Sequence, residues 1–170
     1  LQVAGRLATL YLKTSRVGPA LRVLKTMSVL DPEDLNTQMK IGLVYMQKEE
    51  WEEARKVFVE VLNKVPDSDK VNYYLAATYE EMGKTDLAVE HLLKVTADSK
   101  LFEDAYLHVA GVYRKQGNAE KSFGVIRDAI KKSPENAGFY TILASLYEDE
   151  KDYKNATGAL YDGLKVFPDD

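Results

Sequence analysis

The sequence predicts an all-α fold in which antiparallel helix pairs stack into a solenoid. Three observations predict this class: a fixed period of 34 residues, tyrosines in register with it, and small residues at a constant distance behind them. The tyrosines are Tyr11, Tyr45, Tyr79, Tyr113 and Tyr147, and nine residues after them stand Ala20, Ala54, Ala88, Ser122 and Ala156. The windows 1–34, 35–68, 69–102, 103–136 and 137–170 account for all 170 residues.

Small and apolar residues at fixed places in each window justify the helix pairs. Places are counted from the first residue of a window, and place 8 carries Ala8, Gly42, Ala76, Ala110 and Ala144. Small residues at places 8 and 20 let two helix backbones approach closely, while Leu, Phe or Ile at place 24 fills the space between layers. A single pair cannot bury its apolar stripe alone, so we expect stability to come from neighbouring pairs.

Proline and glycine set the expected helix boundaries along the chain. Pro19 is tolerated only if the second helix of window one begins near residue 18, because proline in the first turn loses no hydrogen bond. Gly83 closes the first helix of window three. Lys100 stands where the other windows have proline, so we expect the junction into window four to be packed or bent differently. Gly111 falls inside the first helix of window four, where glycine costs about 1 kcal/mol relative to alanine.

One stretch, from Leu35 to Ser68, carries a known repeat signature. Its residues Ile41, Gly42, Tyr45, Ala54, Phe58 and Pro66 follow the order L-G-x2-Y, A-x3-F and P. On these residues the chain resembles the tetratricopeptide repeat (TPR) family, as five tandem repeats over its whole length. The resemblance implies a right-handed superhelical array whose first helices line a concave groove for a peptide or partner helix. We expect one domain over 1–170, a fragment of a longer protein.

The groove that the resemblance implies offers an apolar middle with a positive rim. Methionine repacks easily and tyrosine gives contact area at little entropic cost, so the apolar candidates suit apolar anchors, while the basic ones suit acidic residues of a ligand. The peptide-binding candidates are Arg6, Lys13, Met39, Lys40, Leu43, Met46, Lys70, Tyr73, Tyr74, Leu107, His108 and Arg114. The alternative is that several apolar candidates pack against adjacent first helices and are unavailable.

One subclass of the family clamps C-terminal carboxylates of chaperones with lysine and asparagine at set places of three successive repeats. Starting at window one, the corresponding residues here are Gly5, Thr9, Lys40, Lys70 and Tyr74, and only Lys70 fits. Starting at windows two or three gives no better match. The sequence therefore carries no carboxylate-clamp signature, and the expected ligand is a protein or peptide with apolar anchors and some negative charge.

Composition and motifs argue against other function classes. The net charge of −4 and the pI near 5.3 give no support to a nucleic-acid partner, and no apolar run is long enough for membrane insertion. The chain has no cysteine, phosphate loop or nucleophile elbow. His91 and His108 fall on different helices, so we expect solvated or edge histidines and no metal site. We predict no catalytic residue, no metal, no cofactor and no enzymatic activity.

The last helix supports a second hypothesis, because a capping helix normally has a polar outer face. Here it offers Tyr153, Leu160, Tyr161 and Leu164. The first window has a net charge of +2 and the last of −4, so copies could stack head to tail as a homo-oligomeric structural array. The alternative is truncation, in which a missing repeat covers this apolar surface. A third interpretation is a regulatory segment of a larger enzyme whose catalytic domain lies outside the sequence.

Overall fold

The computed structural model describes residues 1–167, which form ten α-helices and no β-strand. The helices are α1 (Gln2–Lys13), α2 (Val17–Leu30), α3 (Leu35–Gln47), α4 (Trp51–Lys64), α5 (Asp69–Glu81), α6 (Thr85–Leu92), α7 (Phe102–Lys115), α8 (Ala119–Lys132), α9 (Ala137–Asp149) and α10 (Tyr153–Val166). Each odd-numbered first helix packs against the second helix that follows it. In the described part of the chain, no helix is long and apolar enough to cross a membrane. Pro168 of the signature, and Asp169 and Asp170 of the charge count, lie outside the described residues.

The chain divides into two compact units, unit 1 (Leu1–Lys94, with α1 to α6) and unit 2 (Val95–Asp170, with α7 to α10). The division falls in the window whose terminal proline is replaced by Lys100. There α6 is only eight residues long, whereas α2, α4, α8 and α10 have fourteen residues each. The irregular junction that Lys100 predicts is therefore present, and it takes the form of a second helix that ends early.

A left-handed residue at place 15 ends the first helix of every window. Gly83 and Gly117 have φ of 71° and 72°, while Ser15, Glu49 and Lys151 have φ of 56°, 59° and 60°. Glycine adopts this conformation without a steric penalty, but a residue with a Cβ is strained there. Gly83 closes α5 as predicted, and the same turn is made under strain in three other windows.

Proline and a capping carboxylate fix two of the helix starts. Pro19 is the third residue of α2, which begins at Val17, so it lies in the first turn as its sequence context requires. Asp34 precedes α3, and its carboxylate accepts hydrogen bonds from the Asn36 amide and the Thr37 hydroxyl. The Thr37 hydroxyl, followed by backbone amides, holds the pKa of Asp34 below its usual value.

Places 8 and 24 are both buried in the first four helix pairs. Ala8, Ala76 and Ala110 stand at place 8 of windows that carry buried Leu24, Leu92 and Ile126 at place 24, whereas in window five Ala144 is buried and Leu160 is exposed. The second window instead combines Gly42 with Phe58, which is fully buried. A Cβ atom on Gly42 would lie 2.5 Å from Cε1 and 2.8 Å from Cζ of Phe58. Glycine at this place therefore makes room for the larger side chain opposite.

A side chain at place 4 ties three repeats to the turn that precedes them. In each case it donates a hydrogen bond to the carbonyl of the proline that ends the previous window. The pairs are Gln38 Nε2 to Pro32 O at 2.6 Å, Asn72 Nδ2 to Pro66 O at 3.3 Å, and Tyr140 Oη to Pro134 O at 3.1 Å. Tyr106 follows Lys100 rather than proline, and its hydroxyl accepts from Lys132 at 2.6 Å. Place 4 of window four therefore makes a different contact, to the second helix of its own window.

Candidate functional site

The predicted groove residues all lie on first helices. Arg6 and Lys13 are on α1; Met39, Lys40, Leu43 and Met46 on α3; Lys70, Tyr73 and Tyr74 on α5; Leu107, His108 and Arg114 on α7. None of these side chains is buried: the basic ones and His108 are exposed, and the apolar and aromatic ones are half-buried. The candidates on α1, α3 and α5 belong to unit 1 and are called the unit 1 face; those on α7 belong to unit 2.

The middle of the unit 1 face is apolar and partly held by the core. The three apolar candidates of α3 are half-buried. The Tyr73 ring meets the Tyr74 ring edge-on, with centroids 6.0 Å apart, and the Tyr74 ring stacks on buried Phe58 at 6.2 Å. Tyr74 therefore packs partly against the core and exposes only part of its ring to a ligand. For this residue the alternative stated above, that an apolar candidate packs within the protein, is partly met.

The margin of the unit 1 face is basic. Lys40 and Lys70 are exposed on α3 and α5. Arg6 and Lys13 border an open concavity of about 630 Å³ on α1, whose other lining residues are Val3, Leu7, Thr9 and Leu10. Cationic side chains beside exposed apolar ones are suited to a ligand that combines apolar groups with carboxylates.

In unit 2, the groove candidates Leu107 and Arg114 line a pocket of about 260 Å³ between two first helices, which we call the α7–α9 pocket. It is lined by Leu107, Ala110, Gly111, Arg114 and Lys115 of α7 and by Ile142 and Leu146 of α9. A Cβ atom on Gly111 would have no heavy atom within 4 Å, so this glycine leaves the floor of the pocket open. The pocket combines apolar walls with two cationic side chains at the end of α7.

Arg114 forms an ion pair within the protein, which the sequence did not predict. Its guanidinium donates to the Asp149 carboxylate at 2.8 Å, which links α7 to α9. The two side chains are 61% and 55% exposed, and such surface pairs contribute little to stability. Arg114 therefore lines the α7–α9 pocket while it takes part in an exposed, weak ion pair.

His91 lies at the edge of the unit 1 core, in contacts that the sequence did not predict. It is half-buried in unit 1, its Nδ1 lies 2.8 Å from Asn72 Oδ1, and its ring stacks on Tyr79 with centroids 5.5 Å apart. Burial holds the pKa of His91 below its usual value. His108 is exposed on α7, as expected. A sequence signal exists, because place 23 is apolar in the other windows, which carry Val23, Val57, Val125 and Ala159.

The four self-association candidates all lie on α10 and are exposed. Tyr153 and Tyr161 are 65% and 63% exposed, and Leu160 and Leu164 are both 43% exposed. Leu160 and Leu164 also line a pocket of about 230 Å³ with residues of α9 and the end of α10. This face of α10 is thus an apolar surface, as its sequence predicts.

Comparison with known families identifies the class of the protein. Tetratricopeptide repeat models match residues 37–68 and 71–98 in one case and 110–170 in another. These matches cover more than half of the chain, and the chain belongs to the tetratricopeptide repeat family. The expected all-α solenoid class is confirmed. Proteins of this class are scaffolds for protein–protein interaction, generally without catalytic activity, and bind protein or peptide partners.

Solved structures share the fold at low sequence identity, and a human protein resembles the chain in sequence. MamA from Desulfovibrio magneticus RS-1 aligns with a TM-score of 0.68 and 20% identity over 98% of this chain and 94% of that chain. YrrB, described as a TPR protein with an unusual peptide-binding site, aligns with a TM-score of 0.63 and 17% identity over 98% of this chain and 86% of that one. The human protein O-mannosyl-transferase TMTC1 is 23% identical over 172 residues, and this chain spans only 20% of its length.

Proposed function

We propose that this chain is a non-catalytic interaction module that binds a peptide or helix of a partner protein along its first helices. The observation that carries the proposal is the α7–α9 pocket, where the groove candidates Leu107 and Arg114 of α7 lie beside Ile142 and Leu146 of the next first helix. The unit 1 face supports it with half-buried apolar side chains flanked by exposed Lys40 and Lys70. A relative of the same fold, YrrB, is described as having a peptide-binding site.

The chemistry of the α7–α9 pocket defines the ligand. Sites for whole small molecules enclose about 300–1,000 Å³, so a pocket of about 260 Å³ suits one apolar anchor rather than a complete ligand. Arg114 and Lys115 stand beside the apolar walls and favour a carboxylate next to that anchor. The ligand is therefore a segment with an apolar side chain and a nearby Asp or Glu.

The test is selection of binders from a displayed library of random peptides, followed by fluorescence anisotropy with the selected sequences. Gly111→Leu fills the α7–α9 pocket, and Leu43→Glu with Tyr73→Ala disrupts the unit 1 face. The matched control is Gly124→Leu, because Gly124 is an exposed helical glycine of α8 whose Cβ would also meet nothing within 4 Å. Circular dichroism checks that all variants keep their helices.

We expect the selected peptides to carry apolar and acidic residues and to bind Gly111→Leu at least about tenfold more weakly, which corresponds to 1.4 kcal/mol. Gly124→Leu should bind them like the original chain. Peptides that bind all variants equally well would place the ligand elsewhere and overturn the assignment of the groove. Selected peptides that are basic would overturn the charge argument alone.

A second candidate function, self-association through the terminal helices, is favoured by the exposed apolar face of α10. On α1, Val3 is 85% exposed and Leu10 is 57% exposed, so both terminal helices present apolar side chains. Head-to-tail contact would pair the basic first window with the acidic last one. Sedimentation velocity should then show an average mass that rises with protein concentration and falls as salt is added. The double variant Leu160→Glu with Leu164→Glu should remain a monomer. A constant monomer mass at low salt would exclude this array.

The expected role as a regulatory segment of a larger enzyme stays a prediction. Its support is the alignment with about a fifth of a human protein named as a mannosyl-transferase. In that interpretation the residues of this chain would provide a surface for interaction, and the catalytic residues would belong to another domain. Its test is the sequence that flanks this chain in its gene: an adjoining catalytic domain would favour it, and further repeats alone would not.

A further inference from the structure

Unit 1 contains an open pocket of about 500 Å³ that none of the groove candidates lines, which we call the α4–α6 pocket. It is lined by Val59, Leu62, Asn63, Pro66, Asp67, Asn72, Leu75, His91 and Lys94. These residues come from the end of α4, the turn after it, α5, and the end of α6. The volume lies within the range of about 300–1,000 Å³ that is typical of ligand sites.

This pocket lies where α6 ends early. Helix α4 covers places 17 to 30 of its window, whereas α6 covers only places 17 to 24. The α4 residues that line the pocket, Val59, Leu62 and Asn63, stand at places 25, 28 and 29. The α4 wall of the pocket therefore consists of the places for which α6 provides no helical counterpart.

The polar part of the pocket is a fixed pair, Asn72 and His91. Asn72 is buried, and its Nδ2 donates to the carbonyl oxygens of Pro66 at 3.3 Å and Ser68 at 3.2 Å. Because carbonyls only accept, Asn72 Oδ1 must face His91, and His91 Nδ1 must carry the proton in their 2.8 Å hydrogen bond. In the neutral ring, Nε2 is then the hydrogen-bond acceptor.

The charged groups around His91 are few. Burial lowers its pKa and Lys94 lowers it further, while Glu90 raises it, so the ring is neutral at neutral pH. Lys94 is itself paired with Glu90 at 2.8 Å. Asp67 lines the pocket from the turn after α4 and brings a carboxylate to it. The pocket thus offers a neutral acceptor, the Asp67 carboxylate and a lysine whose charge is offset by Glu90, beside apolar walls.

We propose that the α4–α6 pocket binds a tryptophan or tyrosine side chain of a protein partner, next to a basic residue of the same segment. The aromatic body packs against the half-buried side chains of Val59 and Leu62, its N–H or O–H donates to His91 Nε2, and the basic residue faces Asp67. Aromatic side chains with a polar handle are common anchors at protein interfaces. This ligand differs from the groove ligand, which carries acidic residues, so the two sites take different segments.

The test is an NMR titration of the full chain with N-acetyl-tryptophanamide, with the ring nitrogens of His91 followed by long-range ¹H–¹⁵N correlation. We expect saturable shifts at His91, Val59 and Leu62, and a change in the Nε2 signal while Nδ1 keeps its proton. The analogue methylated at the indole nitrogen should bind about threefold or more weakly, since it cannot donate. A Lys-Trp-Lys peptide should bind more tightly than Glu-Trp-Glu, and the preference should fall with salt.

The matched variant is Asn72→Gln with His91→Val, which copies the combination of Gln38 and Val57 in the preceding window. This variant should keep its helices and should no longer bind the probe. Leu43→Glu with Tyr73→Ala should bind the probe like the original chain, because those residues belong to the unit 1 face. No saturable shift up to about 10 mM probe, equal binding of the methylated analogue, or unchanged binding in the matched variant would each overturn the proposal. The methylated analogue tests it even if the variant fails to fold.

Discussion

Gly42→Ala is a small change that the structure predicts to be costly. The added Cβ would lie 2.5 Å from Phe58 Cε1, and carbon atoms pack at about 3.5 Å or more, so the ring must retreat by about 1 Å. Phe58 is fully buried and stacked on Tyr74, so it has little room to move. Overpacking costs about 1–3 kcal/mol and the better helix propensity of alanine returns up to about 1 kcal/mol. We expect a net loss of about 1–2 kcal/mol.

Phe58→Leu, on the other side of this contact, should also lower the free energy of unfolding, because it leaves a cavity beside Gly42 and removes the ring contact with Tyr74. We expect a loss of about 1–2 kcal/mol. The double variant combines alanine at place 8 with leucine at place 24, as windows one, three and five do. Its loss should be below about 1 kcal/mol, which makes the coupling energy between the two sites about 2 kcal/mol in favour of the pair.

The assay is urea unfolding followed by the fluorescence of Trp51, which is the single tryptophan and begins α4. This probe reports on unit 1, so unfolding of the other unit does not distort the cycle. Gly124→Ala, followed by circular dichroism, is the control for propensity alone and should stabilise the chain by up to about 1 kcal/mol. If the losses from Gly42→Ala and Phe58→Leu add within about 0.5 kcal/mol, the steric reasoning is refuted.

Three further predictions follow from local contacts. Glu49→Gly should raise the free energy of unfolding by about 0.5–1 kcal/mol, because Glu49 has a φ of 59°; urea unfolding checks it, and a loss would contradict it. The Thr37 hydroxyl lowers the pKa of Asp34, so the stability advantage over Asp34→Asn, full above about pH 4, should shrink as the pH falls below that value in a series of thermal melts. Tyr140→Phe removes the bond to the Pro134 carbonyl and should cost about 1 kcal/mol in urea unfolding, whereas no loss would make that bond irrelevant.

Most of the fold could be predicted from the sequence, because a repeat fold is specified by local patterns that recur. The tyrosines at place 11 and the small residues at places 8 and 20 set the period, and the helix pairs follow that period. Pro19 and Gly83 marked a helix start and a helix end through their backbone preferences. Lys100 marked the junction where α6 ends early, although the sequence did not show that the helix would lose its last places.

The candidate sites were less predictable, because they depend on side-chain directions that the period does not determine. The groove candidates do lie on first helices, but the sequence did not predict the ion pair between Arg114 and Asp149 of the next first helix. Gly42 was recognised as a small residue, but its distance to the Phe58 ring requires the packed structure. The pairing of Asn72 with His91 joins places 4 and 23, and no local pattern links them.

The Asn72–His91 pair is not required to hold the repeat together. The preceding window makes the same proline-carbonyl link through Gln38, with Val57 at the place of His91. Glutamine and valine fit these two places in the preceding window, so Asn72→Gln with His91→Val should match the stability of the original chain to within about 1 kcal/mol. Equal or higher stability together with loss of the indole probe would show that the pair serves binding, whereas a large loss of stability would show that it serves packing.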